Sequence, residues 1–286
     1  MLKYGRYLVI IGGIILSFGG HASSEEGLTF GFLPYLAPSE LFNKYTPLVD
    51  YLSAEVGHSI VIKVAKTYEE HIERIGKDQL DIAFLGGAPY VKMVGRYGQK
   101  PLLARYEIRN EPSFHGVIFV ADKSPLQNLS DLAGKRFAFG AMDSTLTTLV
   151  PIYMLKQVGI ELSELAGYEF LKNQQNVVFG VLLGDYAAGS SALEVFEEYR
   201  QKGIRSVAVS PPVSTHLLVT RQTLSPALIE KLRAALYGLK GKAAKDTILP
   251  AISHDLTGFV KVQDTDYDSL RTILKEVGVV KPKTSE

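Results

Sequence analysis

The chain has 286 residues, with 31 Lys and Arg against 30 Asp and Glu and a formal net charge of +1. That balance carries no electrostatic footprint for nucleic acid or for an anionic membrane surface. The chain has no Cys, which excludes disulfides, thiolate metal sites and a Cys nucleophile.

The N-terminus, residues 1–22, reads as a secretory signal peptide. Lys3 and Arg6 form a basic start, Tyr7 to Phe18 is a nearly unbroken apolar run, and Gly20-His21-Ala22 places small residues ahead of a cut before Ser23. The run is short for a membrane span; an uncleaved anchor is the competing reading. No Cys follows the run, so a lipid anchor is not expected. An exported chain without Cys fits a bacterial periplasm. From Ser23 onward the chain is long enough for two lobes with their own cores.

Leu28 to Phe32 reads as a first strand. Leu33 to Pro38 is a loop, because its two prolines break both regular periods. Ser39 to Val56 follows as a helix, with Leu41, Tyr45, Leu48, Leu52 and Val56 on one face and Gly57 as its stop. Ser59 to Val64 is a strand, Tyr68 to Lys77 a helix and Asp81 to Leu85 a strand. Strands alternating with helices predict a parallel sheet covered by helices on both faces.

Pro101 to Tyr106 and Phe114 to Val120 are further strands, and Asn128 to Asp131 starts a short turn. Arg136 to Gly140 is predicted as a strand and Ser144 to Val158 as a helix closed by Gly159. Tyr168 to Leu171 (strand), Asn173 to Leu183 (helix), Tyr186 to Ala188 (brief strand) and Ala192 to Lys202 (helix) come next. Arg205 to Ser210 and His216 to Thr220 are strands separated by Pro211-Pro212. Ser225 caps a helix that opens on Pro226 and runs to about Leu239, and a last helix spans Asp266 to Val277. The rhythm shifts near residues 113–120 and 211–220, which are the candidate crossovers between two α/β lobes.

Two strand-to-helix turns stand out. One is Asp81 to Tyr90, where an apolar strand meets Gly86-Gly87-Ala88 and a helix with Pro89. The other is Asp143 to Thr148, rich in hydroxyls, after the strand Arg136 to Gly140. Such turns present free backbone N–H groups and make a candidate site for a small anion.

Taken in order, these segments resemble the phosphate/phosphite/phosphonate substrate-binding proteins of ABC transporters (the PhnD-like group). The resemblance runs from Leu28 to about Leu274. It rests on Thr46-Pro47-Leu48 with Tyr51-Leu52, on Asp81 to Val91, and on Leu129 to Gly140. It continues with Ser144-Thr145 and Pro151, Gly184-Asp185 with Ala187-Ala188, and Thr257-Gly258-Phe259-Val260 followed by Tyr267. The resemblance implies a two-lobed type 2 periplasmic binding protein fold of parallel-rich sheets flanked by helices, joined by two hinge strands. The lobes are then residues 23–115 plus 218–286 and residues 116–217. It also implies a small phosphorus oxyanion (phosphonate, phosphite or phosphate) in the cleft and delivery to an ABC permease in the inner membrane, by a protein expected to be monomeric.

The chain departs from the family pattern at several points. Leu146 stands where a hydroxyl is common, and Ser190-Ser191 stand where an acidic residue often holds a ligand amine. Gly87 replaces a Pro, and Val213-Ser214-Thr215-His216 replaces a Pro-Asn-Asp segment. An aminoalkyl phosphonate therefore fits less well than an oxyanion without an amine, and a different small anion is an alternative.

A helix N-terminus contributes about 0.3–1 kcal/mol, up to about 2 when partly buried, against about 8 kcal/mol for micromolar binding. Three to five charge-assisted hydrogen bonds, at about 1.5–3 kcal/mol each, would close that gap. Ser144, Thr145, Thr147 and Thr148 are the candidate donors, with backbone N–H groups at Gly87 and Ala88. Each has a plainer reading: Ser144 and Thr145 as helix caps, Thr147 and Thr148 as core-facing, and Gly86 and Gly87 as relief of backbone strain. Asp143 is a cap or an acceptor for a P–OH proton. Tyr90 is a core residue or a hydroxyl donor, Tyr35 a surface aromatic or a cover over the ligand. Tyr68 and His216 are weaker candidates.

No cofactor, metal or enzymatic activity is expected. The six histidines show no metal spacing, and neither a G-x-S-x-G elbow nor a Walker loop is present. A periplasmic sensor of the same fold, signalling to a membrane kinase or cyclase, is the alternative role.

Overall fold

The computed structural model describes residues 27–278 and residue 280. The predicted signal segment, residues 1–22, lies outside the described residues. The first strand, β1 (Leu28–Phe32), leads through the proline loop into α1 (Pro38–Val56). The helix buries the predicted face of Leu41, Tyr45, Leu48, Leu52 and Val56, and ends where Gly57 turns to φ 74° and donates its N–H to the Ser53 carbonyl. β2 (Ile60–Val64), α2 (Tyr68–Gly76), β3 (Ile82–Leu85) and α3 (Gly87–Tyr97) complete the first β-α repeats. Thr67 caps α2 by accepting from the Glu70 N–H. β4 (Leu102–Ile108) then leads to a two-residue strand, β5 (Ser113–Phe114), and to β6 (Gly116–Ala121).

The second half contains β7 (Arg136–Phe139), α4 (Val150–Lys156), β8 (Gly167–Phe170), α5 (Gln174–Leu182), β9 (Ala188–Ala192), α6 (Leu193–Tyr199) and β10 (Ile204–Val209). The chain then returns through β11 (Val213–Ser214), β12 (Leu217–Thr220), α7 (Pro226–Gly238), α8 (Lys245–Ile252), β13 (Leu256–Val260) and α9 (Asp268–Val277).

The strands form two mixed sheets. The six-stranded sheet has the order β13-β4-β12-β3-β1-β2 and the five-stranded sheet β10-β6-β9-β7-β8. Strands joined by a helical crossover pair in parallel, as in β1 with β2 and β3 and β7 with β8 and β9. Returning strands pair antiparallel, as in β12 with β3 and β4, and β6 with β9 and β10. Between the sheets, β5 and β11 pair antiparallel, with Val213 opposite Phe114 and Ser214 opposite Ser113. Arg105 on β4 braces this pair by donating to Ser214 Oγ at 3.1 Å.

Several elements differ from expectation. The predicted brief strand at Tyr186–Ala188 begins at Ala188 and runs to Ala192, every residue buried. Its Gly189-Ser190-Ser191 sequence carries no strand propensity, and pairing with β6 and β7 sets its conformation. α8 and β13 had no periodic signal of their own: Pro250 lies inside α8, and β13 takes an irregular register along β4.

The helix predicted over Ser144–Val158 opens with a wide π turn, Thr145–Leu149, before α4. Pro151 explains it. Without an N–H, Pro151 cannot bond the Thr147 carbonyl four residues back. That carbonyl accepts instead from Gly140 N–H at 3.0 Å and Ser190 Oγ at 2.7 Å. The turn is thereby stitched to β7 and β9.

A cavity between the sheets as candidate ligand site

A cavity of about 330 Å³ lies between the two sheets, with walls from both. The wall from the first sheet side holds Tyr35 from the β1–α1 loop, Phe84 and Gly86 at the end of β3, Tyr106 on β4 and His216 just before β12. The opposite wall holds Asp143, Ser144, Thr145, Leu146 and Thr147 from the π turn and the loop before it. Asn173 and Gln174 at the start of α5 and Glu194 at the start of α6 extend it.

Of the predicted site residues, Tyr35, Tyr68, Asp143, Ser144, Thr145, Thr147 and His216 line this space. Ser144 caps its helix, as its Oγ accepts from the Thr147 N–H at 3.4 Å, which leaves its own hydroxyl proton to donate. Thr145 Oγ1 accepts from the Ala88 N–H at 3.1 Å. Both chemical readings of these hydroxyls, capping and donation, are therefore open to the same atoms. Asp143 pairs with Lys92 of α3 at 2.5 Å, a contact between elements of the two sheets.

The other four residues take different places. Tyr90 is fully buried behind the cavity, where its hydroxyl donates to Asp264 at 2.6 Å and its ring packs on Tyr267 at 4.8 Å. Gly87 makes room for Leu270 of α9: a Cβ there would lie 2.3 Å from Leu270 Cδ1. The Ala88 N–H is already bonded to Thr145. Thr148 turns its hydroxyl away to donate to the Ala141 carbonyl at 2.8 Å.

Several lining residues had no sequence signal. Glu40 and Lys44 sit on α1 away from its predicted buried face, and Lys44 donates to the Ile252 carbonyl at 2.7 Å. Burial lowers the Lys44 pKa. Glu194 reaches the cavity close to the position where Ser190 and Ser191 were noted for lacking an acid. Burial raises its pKa. Ser190 and Ser191 are themselves fully buried in β9.

The aromatic wall holds neutral donors. The Tyr35 and Tyr45 hydroxyls share a 2.9 Å hydrogen bond, and Tyr106 donates to Tyr45 at 3.3 Å. Burial holds all three well above the ordinary tyrosine pKa. Tyr68, also lining, is pushed up to about 12 by burial and then by Asp143. Burial pushes His216 down to about 4, so its imidazole is neutral at pH 7.

A family described as ABC transporter, phosphonate, periplasmic substrate-binding protein matches residues 30–267. The chain belongs to this family. The phosphate-import protein PhnD of Mycolicibacterium smegmatis is 24% identical, over 90% of this chain and 88% of its own. Among solved structures, PhnD1 from Prochlorococcus marinus, in complex with methylphosphonate, superposes with a TM-score of 0.78 at 19% identity, covering 87% of this chain and 97% of that one. XAC2383 from Xanthomonas citri bound to ATP gives a TM-score of 0.75 at 21% identity, over 87% and 97%. These neighbours share the two-lobed periplasmic binding protein fold. Among the described residues no helix is long and apolar enough to cross a membrane.

Proposed function

We propose that this member of the family holds a small phosphorus oxyanion in the cavity between its sheets, in the periplasm, and hands it to an ABC permease in the inner membrane. The observation that carries the reading is the hydroxyl-lined turn Ser144-Thr145-Thr147, stitched at the cavity wall by the Pro151 and Ser190 arrangement. Its first residues leave helix N–H groups without intrahelical partners, and its hydroxyls keep protons to donate. A phosphonate or phosphate offers the matching acceptors. The relatives named for phosphate import and solved with methylphosphonate support the same ligand class.

The two lobes are residues 23–115 with 218–286, and 116–217. The paired strands β5 and β11 between the sheets are suited to serve as the hinge about which they close. Ser144, Thr145 and Thr147 face the ligand, Tyr35 and His216 bound it from the other lobe, and Asp143 with Lys92 draws the lobes together. The role is binding without turnover, in keeping with the family's description, and one copy suffices because a single chain supplies every wall.

Replacing Ser144 and Thr145 together with Ala removes two charge-assisted donors. Methylphosphonate affinity should fall at least about tenfold while the far-UV spectrum stays that of the folded parent; the unfolding midpoint drops by several degrees, because Ser144 caps the turn and Thr145 accepts from the Ala88 N–H. Unchanged affinity would refute the site.

A further inference from the structure

The wall facing the hydroxyl turn is unusually rich in rings. Phe84 lies at its centre, with Tyr35 at a centroid distance of 5.6 Å, Tyr106 at 5.6 Å and His216 at 5.0 Å. Phe114 closes the fan, 5.1 Å from His216. All five residues line the cavity. None of these five carries a formal charge at neutral pH. Leu146 adds an alkyl surface from the opposite side, within the turn that holds the hydroxyls.

The space is also large. A volume of about 330 Å³ falls at the lower end of sites that hold drug-sized ligands, roughly 300–1,000 Å³. A bare tetrahedral oxyanion fills only part of it and would leave the half-buried rings of Tyr35 and His216 facing water. Covering them favours a ligand with an apolar substituent. The fan also selects its shape. Its rings meet at 31° (Phe84 with His216) and 74° (Phe114 with His216), so they do not share one plane. A flat ring can pair with faces and edges alike, whereas an alkyl group gains only contact.

We propose that the cavity is selective for organophosphorus oxyanions bearing an aromatic substituent, such as aryl phosphonates, with the oxyanion on the Ser144–Thr147 turn and the ring against Tyr35, Phe84 and His216. This rests on the oxyanion reading of the same site.

The test is isothermal titration of the purified protein with inorganic phosphate, methylphosphonate, cyclohexylphosphonate and phenylphosphonate. Phenylphosphonate should bind at least about tenfold tighter than methylphosphonate, and several-fold tighter than the cyclohexyl compound. Tyr35→Ala should narrow the phenyl-to-methyl ratio to about threefold or less, and Tyr35→Phe, which keeps the ring, should retain it. Equal affinity for phenyl- and methylphosphonate would overturn the inference and leave the oxyanion reading standing. A cyclohexyl compound matching the phenyl one would also overturn it, since volume alone would then set the choice. If the folded protein binds none of the four, the oxyanion reading itself fails and this inference with it.

Discussion

His71 and His216 are held neutral by different surroundings. His71 is fully buried, its Nε2 bonded to the Phe84 carbonyl at 2.8 Å and its Nδ1 without a partner. A second proton would bury an unpaired N–H, and burial pushes the ring down to about 4. His216 sits among rings and is also pushed to about 4. In the unfolded chain both return to about 6.5. Below that value the unfolded state takes up protons that the folded state refuses. The stabilisation is therefore complete above about pH 6.5 and lost as pH falls toward 4, at roughly 2 kcal/mol per histidine between pH 7 and 5. Urea unfolding at both pH values should show the parent losing more stability than His71→Gln; equal losses would refute the assignment. At this scale, hydroxyls and turn residues were legible because helix capping follows local chemistry. Tyr90 was not. Nothing near it in sequence reports that Asp264, 174 residues on, takes its hydroxyl.

Among the elements, α1, α2 and α7 follow from periodicity and capping, since their signals lie within one stretch of chain. The π turn at Thr145–Leu149 follows from Pro151 only once Gly140 and Ser190 are known to take the freed carbonyl. Gly87 carries a constraint its neighbourhood does not show. Its place in a Gly-Gly turn suggests close approach to a ligand, while its missing side chain makes room for Leu270 of α9. Gly87→Ala should therefore act on packing. A methyl group there pushes the Leu270 side chain aside and costs about 1–3 kcal/mol, partly offset by the gain in helix propensity of about 1 kcal/mol. The expected outcome is a lower unfolding midpoint in a thermal melt. A midpoint equal to or above the parent would mean that α9 does not pack tightly at Gly87.

Across the whole molecule, the chain leaves the six-stranded sheet after β4 and returns to it at β12, near the breaks in rhythm at residues 113–120 and 211–220, where β5 and β11 lie. The mixed character of the sheets was less visible, because β4, β12 and β13 are far apart in sequence and their antiparallel pairing leaves no local mark. The same is true of α9. It packs against Gly87 on one side, and on the other its Glu276 accepts from Gln157 and Lys156 at the end of α4. The C-terminal helix thus touches elements that belong to different sheets. The cavity wall shows the same pattern: Ser144 and Thr145 could be chosen from their own neighbourhood, whereas Glu40, Lys44 and Glu194 are brought in by tertiary packing alone.

The most direct test of the central claim is calorimetric titration of the folded protein with methylphosphonate, repeated with phosphite and phosphate. Saturable one-site binding of at least one of them, micromolar or tighter at about 8 kcal/mol, with a matching rise in the unfolding midpoint, is the predicted result. A folded protein that gives neither binding heat nor stabilisation with any of the three would contradict it.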